Sequence, residues 1–123
     1  MRKESESVLI VDDDKSILRI FTRILERAGF RTEVAETGEE ALGKVDGGSF
    51  DLALIDIKLP DSNGIDLLTR IRTTNPDTIL ITITGFPSVE EGVRALDRGA
   101  AAYLAKPINP SELLKIIEEK LGD

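Results

Sequence analysis

The sequence predicts an α/β fold, a five-stranded parallel doubly wound sheet with strand order 2-1-3-4-5 and five helices. The first observation is that short apolar runs alternate with longer stretches of helical periodicity, which is typical of repeated strand–helix units. The second is that the central runs are apolar throughout, as strands buried on both faces of a parallel sheet are. The third is that the second and fifth runs are the poorest in apolar residues, and this strand order places them at the edges.

Five short runs predict the strands. The second mixes apolar and polar residues, and the fifth is built of alanine with Tyr103 and Leu104. Because parallel neighbours need a crossover connection, the helical stretches between the runs fit right-handed strand–helix–strand units. The runs are Val8–Val11, Thr32–Ala35, Leu52–Ile55, Ile79–Ile83 and Ala101–Ala105.

The stretches between the strands carry apolar residues at the spacing of one helix face. The first helix should end at Gly29, which suits a left-handed C-terminal cap. Thr37 and Ser88 are candidate N-caps of the second and fourth helices, and Glu40 and Glu91 stand at their capping-box positions. The apolar stripes are Ile17, Phe21, Ile24 and Ala28; Ala41, Leu42 and Val45; Ile65, Leu68 and Ile71; Val89, Val93 and Leu96; and Leu113, Leu114, Ile116, Ile117 and Leu121.

The composition excludes several kinds of chemistry and partner. The length fits one domain, residues 1–123, without room for a second of ordinary size. There is no Cys and no His, which excludes disulfides, thiolate or imidazole metal sites and histidine-dependent catalysis. The 23 acidic residues outnumber the 16 basic ones, and the net charge of −7 argues against nucleic-acid binding by this domain. No run could span a bilayer, and Met1–Ser7 lacks an apolar signal core, so we expect a cytoplasmic protein without membrane contact.

Polar residues follow four of the five predicted strands. Asp12–Asp14 follow the first, Asp56 ends the third, Thr84 ends the fourth, and Lys106 follows the fifth. Ligands of open parallel sheets bind beyond the carboxyl ends of the strands, near the point where the strand order reverses. The first and third strands flank that point, so the carboxylates at their ends are expected to lie close together.

These residue types fit phosphoryl transfer. Crowded carboxylates repel one another, and Mg²⁺ removes the repulsion while it binds a phosphate oxygen. A threonine hydroxyl and a lysine ammonium can hold other phosphoryl oxygens, and an aspartate can accept the group covalently. Each residue alone has a simpler explanation, since Asp is a common helix cap, Thr suits a strand and a loop Lys is usually solvated. Their occurrence together at four strand ends favours the phosphoryl-transfer site.

The motifs resemble those of the receiver domain of two-component response regulators, from about Ser7 to Leu121. This resemblance implies the flavodoxin-like form of the predicted sheet. It also implies a signalling module that catalyses only its own aspartyl phosphorylation and dephosphorylation. The motifs are Val8-Leu-Ile-Val-Asp-Asp-Asp14, Asp51-Leu-Ala-Leu-Ile-Asp-Ile-Lys-Leu-Pro-Asp-Ser-Asn-Gly64, Ile81-Thr-Ile-Thr-Gly85 and Ala101-Ala-Tyr-Leu-Ala-Lys-Pro107.

The resemblance also implies a role for each acidic residue. Asp56 would be the phosphoacceptor and a ligand of the cofactor Mg²⁺. Asp13 would bind the ion directly, Asp12 would bind it through a water, and the backbone carbonyl of Lys58 would be the remaining protein ligand. Asp14 is more typical of a helix cap.

Further implications of the resemblance concern the switch. Thr84 would donate to a phosphoryl oxygen, Lys106 would pair with another, and the Lys106–Pro107 peptide would be cis. Gly85 would leave the phosphoryl group room to reach the acceptor. On phosphorylation Thr84 would move toward the phosphoryl group, and Tyr103 would turn inward.

The same resemblance implies the partners. The donor would be a phosphohistidine on a sensor histidine kinase or a histidine phosphotransfer protein, because this chain contains no His. The readout face would be the fourth helix, fifth strand and fifth helix, approximately Ser88 to Leu121. It would act on a downstream effector or output domain, with phosphorylation-dependent dimerisation as one form of response. The chain would be a stand-alone regulator or the receiver of a larger transcription regulator or hybrid kinase.

Phe86 carries a hypothesis about the lifetime of the phosphoryl group. Lys58 and Phe86 lie two residues after Asp56 and Thr84, at positions that in the family tune the attack of water on the acyl phosphate. We hypothesise that the bulky Phe86 ring shields the site.

Two other function classes stay open on the sequence. A phosphatase of the haloacid dehalogenase type would use Asp12 as its nucleophile within Asp12–Asp14, but Ser16 stands where that class usually has Thr or Val, and the chain is short for that fold. A flavodoxin-like nucleotide-binding protein would need a Gly-rich loop after the first strand, and the sequence has none there. Trapping the phosphorylated residue separates the phosphatase from the receiver, and a yellow flavin colour would identify the third class.

Overall fold

A computed structural model describes residues 6–122 of the chain. Most of the polar N-terminal segment considered above lies outside the described residues. Among residues 6–122, no helix is long and apolar enough to cross a membrane. The elements are β1 (Ser7–Val11), α1 (Lys15–Arg27), β2 (Arg31–Ala35), α2 (Gly38–Gly47), β3 (Leu52–Asp56), α3 (Gly64–Thr74), β4 (Ile79–Thr84), α4 (Val89–Asp97), β5 (Ala102–Ala105) and α5 (Pro110–Leu121).

The sheet confirms the predicted topology. All four strand pairings are parallel, and the order is β2-β1-β3-β4-β5. The two apolar-poor strands are at the edges, where one side of each strand needs no partner. In the register of the sheet Val11 lies opposite both Ala35 and Ile55, and Thr84 lies opposite Ala105. The carboxyl ends of the strands therefore form one edge of the sheet.

Alternate residues of the strands face two separate cores. Leu9 and Val11 pack toward α2, α3 and α4, whereas Val8 and Ile10 pack toward α1 and α5. All four side chains are at most 1% exposed. This burial on both faces is the physical reason for the unbroken apolar runs of the central strands.

The helix ends follow the predicted capping signals. Asp14, Thr37 and Ser88 are the N-caps of α1, α2 and α4, and each side chain accepts a backbone N–H of its first turn. After α1, Gly29 has a φ of +97°, which favours glycine at this turn.

The fourth helix differs from the prediction in the face that it buries. Its apolar stripe, Val89, Val93 and Leu96, is 84%, 52% and 53% exposed. The buried residues are instead Glu91, Gly92 and Ala95. At Gly92 the Tyr103 ring comes so close that an added Cβ would lie 3.0 Å from its Cδ2 atom. Periodicity identified the helix, but the side that packs is the one with Gly92 and Ala95, and Gly92 lies against the Tyr103 ring of β5.

Candidate acidic phosphorylation site

Two buried aspartates lie side by side at the carboxyl edge of the sheet. Asp56 is the last residue of β3, and Asp12 directly follows β1, its strand neighbour. Their side chains are among the most buried polar groups, at 4% and 1% exposure of the whole residue. Asp13 adds an exposed carboxylate, and one oxygen from each of the three lies within 4.8 Å of the others. The fold thus concentrates three acidic groups where the sequence predicted them.

Lys106 neutralises part of this charge. Its Nζ lies 2.7 Å from Oδ2 of Asp12 and 3.1 Å from Oδ2 of Asp56. Burial by itself disfavours the ammonium, but the hydrogen bonds and charges of the two aspartates outweigh it and raise the pKa of Lys106. The ammonium is therefore firmly charged, and it binds both carboxylates at once.

The pKa of Asp12 is raised, and burial is the largest cause. The charge of Asp56 also raises it, whereas Lys106 and the Asp14 N–H, which donates to Oδ1 of Asp12 at 2.9 Å, favour the ionised form. Two adjacent buried anions with one cation leave a deficit of positive charge. That deficit is the electrostatic reason to expect a further cation.

The loop after β3 is folded back onto the site. The backbone N–H of Lys58 donates to Oδ1 of Asp56 at 3.0 Å, and Lys58 forms an isolated antiparallel bridge with Asn63. At Gly64 this turn leaves no space for a side chain, because an added Cβ would lie 2.4 Å from Cα of Ile57. The loop is therefore held closely against the Asp56 carboxylate.

Thr84 ends the strand beside Asp56 and is completely buried. Its hydroxyl oxygen accepts the Phe86 N–H at 3.1 Å, which leaves the hydroxyl proton available to another acceptor. An added Cβ at the neighbouring Gly85 would meet no atom within 4 Å, so this side of the site has room. The Phe86 ring is 79% exposed, and shielding of the site by this ring would require the loop to move.

The residue chemistry fits a hard divalent cation. Three carboxylates within 4.8 Å supply the oxygen ligands that Mg²⁺ prefers, and two of them are buried against a single lysine among the described residues. A cleft of about 480 Å³, lined by Asp13, Lys58, Asn63 and Glu91 among others, opens beside the cluster. A larger cleft of about 1060 Å³ lies between α1 and β2, and none of the residues that line it belongs to the site.

The structure brings Asp12, Asp13, Asp56 and Lys106 together, whereas the Tyr103 hydroxyl lies outside this cluster. The Tyr103 hydroxyl contacts the start of α4, where it accepts the Ser88 N–H and donates to Glu91, each at 3.0 Å. The Lys106–Pro107 peptide is cis, and Asp14 caps α1; both agree with the expectations above.

Sequence reasoning missed the contacts of two acidic residues, Glu91 beside the cleft and Asp61 in the loop after β3. Glu91 is buried and contacts Tyr103 and Lys58, although its sequence position indicates only a capping box. Asp61, in the loop after β3, accepts the N–H groups of Gly38 and Glu39 at the start of α2, at 2.8 and 3.0 Å. These N–H bonds lower the pKa of Asp61. No local signal identifies either contact, because each joins segments at least 12 positions apart.

Known proteins share both the sequence and the fold. The family model of the response regulator receiver domain matches residues 8–118. Acid tolerance regulatory protein ActR of Rhizobium meliloti is 36% identical over 118 residues, covering 96% of this chain and 61% of ActR. Transcriptional regulatory protein ZraR of Klebsiella oxytoca is 38% identical over 122 residues, covering 99% of this chain and 28% of ZraR. The chain therefore spans less than two thirds of the length of these relatives.

Solved structures agree with the sequence matches. A CheY-like receiver domain protein from Methanospirillum hungatei JF-1 superposes with a TM-score of 0.94 at 44% identity, covering 97% of this chain and 95% of that protein. The beryllofluoride-activated NtrC4 receiver domain, solved as a dimer, superposes with a TM-score of 0.90 at 34% identity, covering 94% of this chain and 96% of the other. The chain has the CheY-like flavodoxin fold and belongs to the response regulator receiver domain family, the signalling modules of two-component systems.

Proposed function

We propose that Asp56 accepts a phosphoryl group from a phosphohistidine on a sensor histidine kinase or a histidine phosphotransfer protein. The observation that carries the proposal is the buried Asp56 carboxylate, bound by Lys106 and packed beside two further carboxylates. These 123 residues contain no His, so the phosphohistidine donor lies outside them.

The transfer needs positioning and charge neutralisation more than acid–base chemistry. A carboxylate oxygen of Asp56 attacks phosphorus, the phosphorus–nitrogen bond of the donor breaks, and the bonding electrons stay on the imidazole. Lys106 neutralises charge on the acceptor side, and the Thr84 hydroxyl can donate to a phosphoryl oxygen. The domain would catalyse only this phosphorylation and the later hydrolysis of its own acyl phosphate.

Magnesium is the cofactor that fits the donor set. Asp13 and Asp56 would bind it directly, Asp12 through a water, and the Lys58 backbone carbonyl would complete the protein ligands. When bound, the ion supplies the positive charge that stabilises the transferring phosphoryl oxygens.

The readout face of the proposal is formed by α4, β5 and α5. On phosphorylation Thr84 would move toward the phosphoryl group and Tyr103 would turn inward, which changes this surface. The exposed Val89, Val93 and Leu96 give it an apolar patch of the kind that partner proteins cover. A downstream effector, an output domain or a second phosphorylated copy would bind here.

The setting of the domain belongs to the same proposal. Receiver domains generally act in the cytoplasm, and we assign this one there. The acidic net charge of −7 leaves nucleic-acid binding to any attached output domain. We expect no membrane contact by this domain.

The proposal is tested with acetyl phosphate and Mg²⁺, followed by intact-mass measurement. Wild type should gain one phosphoryl group, and Asp56→Asn should gain none. The matched control is Asp66→Asn, which changes an exposed aspartate in the first turn of α3 and should behave as wild type. Fragment masses should place the group on Asp56; a group on Asp12 would favour the phosphatase alternative, and no gain in wild type would overturn the proposal.

A further inference from the structure

Glu91 is a buried carboxylate that the proposed phosphorylation chemistry does not use. It lies in the first turn of α4 and is 8% exposed. A buried charge is costly unless it is hydrogen-bonded or paired, so its partners indicate its role.

The first partner is Tyr103. In an ordinary capping box, Glu91 would accept the backbone N–H of Ser88, while the Ser88 hydroxyl accepts the Glu91 N–H. The second of these bonds is present at 3.1 Å. In place of the first, the Tyr103 hydroxyl accepts the Ser88 N–H and donates to Oε1 of Glu91, each at 3.0 Å. A side chain of β5 is thus inserted into the cap of α4.

The second partner is Lys58. Its Nζ lies 3.6 Å from Oε2 of Glu91, across the cleft beside the acidic cluster. The same residue donates its backbone N–H to Asp56. Glu91 therefore contacts both the loop that follows the acceptor aspartate and the tyrosine of the readout face.

We propose that Glu91 is a positioning residue: its carboxylate holds Lys58 and Tyr103 together and makes the position of the Tyr103 ring depend on phosphorylation of Asp56. The dependence of the Tyr103 position on phosphorylation rests on the proposed function. The link between Glu91 and Tyr103 stands without it.

The physical cause is competition between two anions for one cation. A phosphoryl group brings roughly two negative charges to the vicinity of Lys58. The Lys58 side chain is 58% exposed and flexible, so its ammonium can leave Glu91 for the phosphoryl oxygens. Glu91 and the Tyr103 hydroxyl are then released from the β3–α3 loop. The two arrangements have the Lys58 ammonium either on Glu91 or on the phosphoryl oxygens. Because a partly exposed ion pair is weak, the coupling changes the ratio of their populations by about five-fold or less, equivalent to ~1 kcal/mol.

Tyrosine fluorescence tests the Glu91–Tyr103 link directly. The chain has one Tyr and no Trp, so all of this emission comes from Tyr103. A carboxylate that accepts the phenol proton quenches tyrosine emission, and we expect Glu91→Gln to emit more strongly than wild type before any phosphorylation. Glu90→Gln makes the same charge change on an exposed neighbour and should leave the emission unchanged. Equal emission from wild type and Glu91→Gln overturns this link.

A double-mutant cycle on phosphoryl lifetime tests the Lys58 link. Glu91→Gln should lengthen the lifetime up to about five-fold, because the released ammonium can stay on the phosphoryl oxygens. In a Lys58→Met background, which keeps the backbone carbonyl, Glu91→Gln should leave the lifetime unchanged. Equal changes in both backgrounds overturn the coupling. If wild type gains no phosphoryl group, the proposed function fails, and the emission comparison still decides whether Glu91 holds Tyr103.

Discussion

The helices α1 and α4 are both amphipathic, yet they are fixed to the sheet in opposite ways. On α1 the apolar side faces the core. Leu18, Phe21 and Leu25 are at most 5% exposed, and the other residues of the predicted stripe, Ile17, Ile24 and Ala28, are partly buried against the same core. On α4 the apolar stripe faces solvent, and the helix is held by Ala95 and by the polar contacts of Glu91. The helix α4 is therefore joined to β5 by hydrogen bonds with Tyr103 besides one small apolar contact, whereas α1 is attached by large apolar side chains.

This difference has a functional reason under the proposed mechanism. Apolar packing like that of α1 is close-packed and leaves little freedom to shift. Contacts such as those between Tyr103, Ser88 and Glu91 have discrete alternatives, because each donor and acceptor can take another partner. A readout surface needs the second kind of attachment.

The largest difference in the free energy of unfolding should come from truncating one apolar side chain on each helix. Leu25→Ala on α1 removes a fully buried side chain and should lower the free energy of unfolding by about 2–5 kcal/mol. Val93→Ala on α4 removes a side chain that is 52% exposed and should change it by no more than about 0.5 kcal/mol. Urea unfolding measures both free energies, and comparable losses in the two variants would contradict the difference in attachment between α1 and α4.

A smaller loss is expected for Tyr103→Phe. The variant removes the hydroxyl that joins Ser88 and Glu91, and we expect a cost of about 1–2 kcal/mol in the free energy of unfolding. Amide hydrogen exchange should speed up in α4 and stay unchanged in α1. Unchanged exchange in α4 would show that the hydroxyl does not anchor the helix.

Loss of the N-cap should affect α1 and α4 over different lengths of helix. Asp14→Ala and Ser88→Ala should each cost about 1 kcal/mol, because each side chain accepts N–H groups of the first turn. Hydrogen exchange should nevertheless differ: the whole of α4 should exchange faster in Ser88→Ala, whereas only the first turn of α1 should respond in Asp14→Ala. Faster hydrogen exchange over the same length of α1 and α4 would indicate that the two helices are equally anchored.

The smallest effect concerns pH. Burial, with help from Glu91, raises the pKa of Tyr103 above its ordinary value of 10.0. Since the folded pKa is the higher one, the stabilising contribution of neutral Tyr103 is present below pH 10.0 and is lost as pH rises through the folded pKa. Ultraviolet absorbance of tyrosinate should show the raised pKa, and Glu91→Gln should lower it. Tyr103→Phe should lack this part of the alkaline loss of stability, and an identical pH profile to wild type would contradict the assignment.

The acidic site was predictable to a large extent because it depends on strand ends. Once Asp12 and Asp56 are placed at the ends of neighbouring parallel strands, their proximity follows from sheet geometry. Lys106 follows from the same geometry, although its simultaneous contact with both carboxylates needs side-chain packing. The contacts of Glu91 and Asp61 were not predictable, because Glu91 joins α4 to β5 and Asp61 joins a loop to α2, and no local pattern encodes the relative position of these segments.

The strand order, the caps at Asp14 and Ser88 and the place where the acidic residues meet follow from the amino-acid sequence alone. Those features depend on hydrophobic periodicity and backbone hydrogen bonding, which act over a few residues or along whole strands. Only the tertiary structure decided which face of α4 is buried and that Tyr103 enters its cap. The buried face includes Gly92, which lies against the Tyr103 ring, and such packing between distant segments is a property of the folded chain alone.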